Sequence, residues 1–252
     1  MVEKDLKSGA EIKNIPGSFV IEFSGTPFFQ RFDKIVDPLG DLLSTSYDVQ
    51  FKGPLHRLTG DTSVFETSKD ILAVSRRAID NIDIIQNNGH NNLLTGGIFE
   101  EISYINYYEE IGIISSSTAS AYTTVLLEHA TETDLVICIL LSPQTALSVK
   151  PTAKFEDMDQ HISRLMNHAA LDKLNMSFIK TYRNFSEHFR KISLVDHRQN
   201  RLSINDPTLC KSLFTDIYKA LSKIYPIHPN IFAYCKQPTR NPRETLFGKK
   251  SN

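Results

Sequence analysis

The stretch Leu135-Val136-Ile137-Cys138-Ile139-Leu140-Leu141 decides the fold class. It is unbroken by any polar residue, yet far shorter than the ~20 residues needed to cross a bilayer. A strand with one face in water alternates apolar and polar side chains. A continuous short run is what a strand shows when both its faces are covered, as in a sheet flanked by helices. Ser142-Pro143 follows at once, a capping residue with proline at the first helical position. Upstream, Ile111 to Ile114 is a second, shorter apolar run, and Ala119 to Ala130 between the two is compatible with a helix. A strand–helix–strand unit is the expectation.

Working outward toward the N-terminus, Ile98, Ile102 and Ile105 recur at helical spacing, so Ile98 to Glu110 is expected as a helix. Before it, Asn87-Asn88-Gly89-His90-Asn91-Asn92 reads as a surface loop, because Asn and Gly favour left-handed turn conformations. A helix capped by Thr67 or Ser68 would carry Ile71, Ser75, Ala78 and Ile82 on one face. Tyr47, Val49 and Phe51 alternate with polar residues, the pattern of a half-buried strand. Ser18 to Phe23 is a further short strand, and Thr26-Pro27 opens a helix carrying Phe29, Phe32 and Val36.

Toward the C-terminus the pattern is mostly helical. Met158, Ile162, Leu165 and Ala169 form one stripe, and Phe178, Tyr182, Phe185, Phe189 and Ile192 another. Ile192 to Ile204 can form a hairpin with His197 to Asn200 at its tip. Asp206-Pro207 is the cleanest helix start in the chain, leading into Cys210, Leu213, Ile217, Leu221 and Ile224 before Pro226. The expected fold is therefore α/β, with α+β as the variant: short buried strands in the first 150 residues and a predominantly helical remainder. Residues 1–16 are expected as a flexible arm, 17–235 as a single α/β domain with a sub-boundary near 143–151, and 236–252 as a disordered basic tail.

The net charge of −1 conceals a strong polarity. Up to Lys150 there are 11 lysines and arginines against 20 acidic residues; from Pro151 onward there are 17 against 9. The three cysteines, Cys138, Cys210 and Cys235, are widely separated and form no C-x-x-C pair, which argues against a disulfide framework or a cysteine zinc site. The charged start, Met1-Val2-Glu3-Lys4-Asp5, leads into no apolar stretch and does not resemble a secretory signal. These features point to a soluble intracellular protein of the cytoplasm or nucleus, without a membrane span.

Catalytic motifs are hard to find. Neither G-x-x-x-x-G-K-[ST] nor G-x-G-x-x-G occurs, and no G-x-S-x-G supplies a nucleophile turn. Ser115-Ser116-Ser117-Thr118 could hold an anion at a helix start, but such hydroxyls more often cap the helix. His161 and His168 share a helix face with Asp157, but they stand two turns apart, too far to share one ion. An enzyme assembled only in the fold, using Asp61, Glu66 or His161, is a third-ranked reading. No metal site and no cofactor is expected.

What stands out is basic charge. Lys173 to Arg201 holds Lys173, Lys180, Arg183, Arg190, Lys191, Arg198 and Arg201 against only Glu187 and Asp196. The tail adds Lys236, Arg240, Arg243, Lys249 and Lys250, with Leu246 and Phe247 as a small apolar anchor that could dock in a partner groove. From these residues the sequence suggests a non-enzymatic interaction or scaffold protein. It would act within a larger assembly through charge-polarised surfaces, with protein partners or by self-association. The alternative is an RNA- or DNA-binding protein using the same cations.

Overall fold

In the computed structural model of the protein, residues 19–27, 39, 49–52, 91–148 and 167–222 are described. Five strands form one sheet: β1 (Val20–Gly25), β2 (Val49–Lys52), β3 (Asn91–Thr95), β4 (Leu135–Leu141) and β5 (Ile192–His197). Their spatial order is β2-β3-β1-β4-β5, and every neighbouring pair is parallel. Parallel strands cannot be joined by tight hairpins, so helices cross over between them. Those described are α1 (Ile98–Glu110), α2 (Ser116–Leu127), the single turn α3 (Pro143–Ala146), α4 (His168–Phe185) and α5 (Pro207–Ser222).

Strand β4 explains the arrangement. Every one of its side chains is buried. Leu135, Ile137, Ile139 and Leu141 face a core completed by Ile21 and Phe23 of β1 and by Leu209, Leu213, Ile217 and Leu221 of α5. Val136, Cys138 and Leu140 face the opposite core, built from Ile98, Phe99, Ile102 and Ile105 of α1, Tyr122 and Leu126 of α2, and Leu174, Phe178 and Ile179 of α4. The sheet is thus covered on both faces, as the unbroken apolar run requires. In α4, Phe178 stacks on Phe99 at 6.3 Å in the core, with Tyr182 and Phe185 partly buried beside it, while Phe189 and Ile192 of the expected stripe lie beyond the end of the helix.

The α/β expectation holds, and so do α1, α5 and the strands β1, β2 and β4. The caps also form: Ser142 accepts from the Thr145 amide, and Ser115 from the Thr118 amide. Three expectations fail. Ile111 to Ile114 is a turn after α1, not a strand, and Ile111 and Ile113 are among the most exposed large apolar residues described. Asn91 and Asn92 are not loop residues but open β3: the Asn91 side chain accepts from the Phe19 amide, and the Asn92 amide bonds the Phe19 carbonyl. Ile192 to Ile204 is no hairpin, because β5 runs parallel to β4 and its chain continues into α5. The expected arm at 1–16, the helices around Ile71 and Met158, and the tail from 236 lie outside the described residues.

The close fit between β1 and β4 is sharpest at Gly25. Its φ of +118° lies where side chains are disfavoured, and a Cβ there would overlap the Ile139 carbonyl of β4. Replacing Gly25 by alanine is expected to cost on the order of 3 kcal/mol of stability, from backbone strain and displaced β4 together. Denaturant midpoints of the two proteins measure this; an unchanged midpoint would contradict the packing described.

Candidate functional site

In open parallel sheets the ligand crevice lies beyond the carboxyl ends of the strands, where neighbouring connections diverge. Here that point is the end of β1, with β3 on one side and β4 on the other. Gly25 and Thr26 leave β1 there, Gly96 and Gly97 leave β3, and Ser142 leaves β4.

Beneath this edge lies a buried carboxylate. Glu22 of β1 is completely buried on the face that meets α1, in a strand otherwise apolar but for Ser24. Its Oε1 accepts from the Glu100 amide at 2.9 Å and the Ser24 hydroxyl at 2.6 Å, and its Oε2 accepts from the Phe99 amide at 3.3 Å. Gly97 at the helix N-cap has no side chain of its own to offer these amides, so a strand residue caps the helix from across space. Glycine is required there: a Cβ on Gly97 would come within 2.5 Å of Glu22 Oε2. Burial pushes the Glu22 carboxyl up to about 7, against the opposing pull of its hydrogen bonds. Glu101, buried in the first turn of α1, is pushed up as well, first by burial and then by Glu100 and Glu22.

On the β4 side, Thr26 is held in a closed ring. Its hydroxyl accepts from the Leu141 amide at 2.9 Å and donates to Asn175 Oδ1 of α4 at 2.5 Å, while Asn175 Nδ2 donates to the Leu141 carbonyl at 2.8 Å. Further along, the chain after β5 is tied down on α3. Ser142 donates to the Asn200 carbonyl at 2.6 Å, and Thr145 donates to the Leu202 carbonyl at 2.8 Å.

Of the described basic residues singled out from the sequence, Arg198 and Arg201 follow the carboxyl end of β5, while Lys180, Arg183, Arg190 and Lys191 lie along α4 and before β5. Lys180 pairs with Glu109 at 3.7 Å, Arg190 with Asp134 at 2.6 Å, and Arg198 with Asp196 at 2.7 Å. The hydrogen bonds from Arg198 hold Asp196 below the usual carboxylate range. Arg183, Lys191 and Arg201 are exposed at separate points on α4, before β5 and after it. Three cations are thus engaged in ion pairs, two of them with the acidic first part of the chain. His168 is exposed at the start of α4, and Ser115 is spent on its capping bonds. Arg240, Arg243, Leu246, Phe247, Lys249 and Lys250, like Asp61, Glu66 and His161, lie outside the described residues. Sequence reasoning missed Glu22, Thr26, Gly97 and Asn175. The available signals were a lone acid in an apolar strand and a Gly-Thr directly after it.

No protein-family model and no curated protein matches the chain. Solved structures do. One is thymidylate kinase from Candida albicans, 14% identical, covering 82% of this chain and 92% of its own, with a TM-score of 0.52. Another is deoxyadenosine kinase from M. mycoides with bound dATP, 13% identical, covering 79% and 98%, with a TM-score of 0.51. The fold is nucleoside-kinase-like. That finding corrects the expectation of a non-enzymatic scaffold, which rested on missing motifs and on charge polarity. A fold shared with two phosphoryl-transfer enzymes over most of the chain displaces both arguments. The nucleic-acid alternative belonged to the same corrected expectation; of its described cations, Lys180, Arg190 and Arg198 are ion-paired. Among the described residues, no helix is long and apolar enough to cross a membrane.

Glu22 makes stability depend on pH. Its carboxyl holds a proton more tightly folded, at about 7, than unfolded, near 4.5. Its contribution is therefore complete below 4.5 and is lost as pH rises through 7, at most about 3 kcal/mol. In Glu22→Gln the fall in stability between pH 4.5 and 8 should be visibly shallower. Urea titrations at several pH values would show it, and an unaltered slope would refute the assignment.

Proposed function

We propose that this chain binds a nucleoside or nucleotide phosphate at the carboxyl edge of β1 and carries out phosphoryl transfer of the nucleoside- or nucleotide-kinase type. The observation that supports the reading most is the exit of β1. A glycine at positive φ ends the central strand of a parallel 2-3-1-4-5 sheet, at its switch point, in a fold similar to two such kinases.

Gly25 also sets a sequence register. Gly25-Thr26-Pro27-Phe28-Phe29-Gln30-Arg31-Phe32 has the spacing of G-x-x-x-x-G-K-[ST] and keeps only its first glycine. Gln30 stands for the second glycine, Arg31 for the lysine and Phe32 for the hydroxyl residue. Arginine preserves the positive charge and adds a planar fork that matches phosphate oxygens. Phenylalanine offers no oxygen to a metal. Among the described residues, no group of three His, Cys, Asp or Glu could hold one either. The residue in the hydroxyl position therefore does not fit the magnesium site that this motif ordinarily provides, and Arg31 is the cation that this register offers the phosphates.

Phosphoryl transfer asks a protein mainly for positioning and electrostatic stabilisation, so an altered loop changes rate before it changes ligand class. The test is γ-phosphate transfer from ATP to a panel of deoxynucleosides and nucleoside monophosphates, alongside calorimetric ATP binding. Transfer to at least one acceptor is expected, with Arg31→Ala weakening ATP binding by about tenfold or more. ATP affinity should differ by less than about threefold between magnesium and a chelator, because Phe32 replaces the magnesium-holding hydroxyl. Absence of both binding and transfer would overturn the reading.

A further inference from the structure

The ring formed by Thr26, Leu141 and Asn175 joins three parts of the molecule at one point. Thr26 is the first residue beyond β1, Leu141 the last of β4, and Asn175 lies in the second turn of α4. All three are at least 98% buried. Each polar atom at the ring has a use: the Thr26 hydroxyl accepts once and donates once, the Leu141 amide and carbonyl are both engaged, and the Asn175 amide spans them. The Thr26 amide adds a further bond to the Ile139 carbonyl at 2.9 Å. A simpler core would fill this volume with leucine and valine. A buried polar ring instead fixes one geometry, because any shift leaves a donor or acceptor unpaired in a dry setting.

We propose that Asn175 is a positioning residue for the phosphate loop: from α4 it holds the chain leaving Gly25 in the place where ligand binding needs it. The inference rests on the functional reading above and names a residue far from it in sequence. Thr26 has no other described tether on the α4 side, so loop geometry and the seating of α4 are coupled through one side-chain amide. A movement of α4 would be felt at Thr26, the first residue beyond β1.

A second buried polar pair supplies the control. Asn106 of α1 donates to Thr181 of α4 at 2.9 Å, in a similarly buried setting that does not touch the exit of β1. ATP affinity and denaturant stability would be measured for the full chain, for Asn175→Leu, Thr26→Val, their double variant, Thr26→Ser, and Asn106→Leu. Asn175→Leu and Thr26→Val should each raise the ATP dissociation constant by about tenfold or more. The double variant should add little to either single, and Thr26→Ser should stay within about twofold of native. Asn106→Leu should lose comparable stability with an unchanged dissociation constant. Native protein that binds ATP, with Asn175→Leu binding equally well or with the Asn106→Leu control weakened as much, overturns the positioning role alone. Native protein that binds no ATP overturns the functional reading, and this inference with it.

Discussion

Strand β4 carries apolar side chains on both faces, and neither face can be left to water. That constraint propagates through the molecule. One face calls for α5, the other for α1 and α4, and β1 and β5 must pair along its edges in parallel because the crossover helices return each strand in the same direction. Parallel pairing in turn gathers all the carboxyl ends on one side. The site is therefore a by-product of covering one oily strand twice.

How much of this could be read from the chain depended on whether a segment's reason for its shape was local. The β4 run, the repeat at Ile98, Ile102 and Ile105, and the Asp206-Pro207 start each carry their own signal, and each formed as expected. β3 does not. Asn91 and Asn92 have turn chemistry, and only the Phe19 backbone, 72 residues away from Asn91, makes them a strand. Ile111 to Ile114 fails in the opposite sense: its composition suits a strand, but it directly follows a helix that must turn back, and two of its isoleucines face out. The site residues were hidden for the same reason. Glu22 and Asn175 acquire meaning only from partners 78 and 34 positions away.

The charge polarity of the sequence is real, and its interpretation was not. Counting cations along the chain cannot reveal that Arg190 meets Asp134, or Lys180 meets Glu109. The basic second part is partly answered by the acidic first part of the same molecule. These pairs lie at the surface, where each contributes little to stability. Their effect is to lower the local field that a phosphate backbone would have felt.

The contact between Glu22 and Gly97 has a consequence for how this protein can vary over time. The carboxylate fills the space that a Cβ at 97 would enter, and the bare glycine leaves helix amides that an acceptor from outside the helix satisfies. Neither position is free to drift while the other stays fixed. A lineage could exchange the arrangement for an ordinary Ser or Asp cap at 97 with a small residue at 22, but only by passing through an intermediate with a clash or an uncapped helix. The geometry thus ties what position 97 can carry to what position 22 carries.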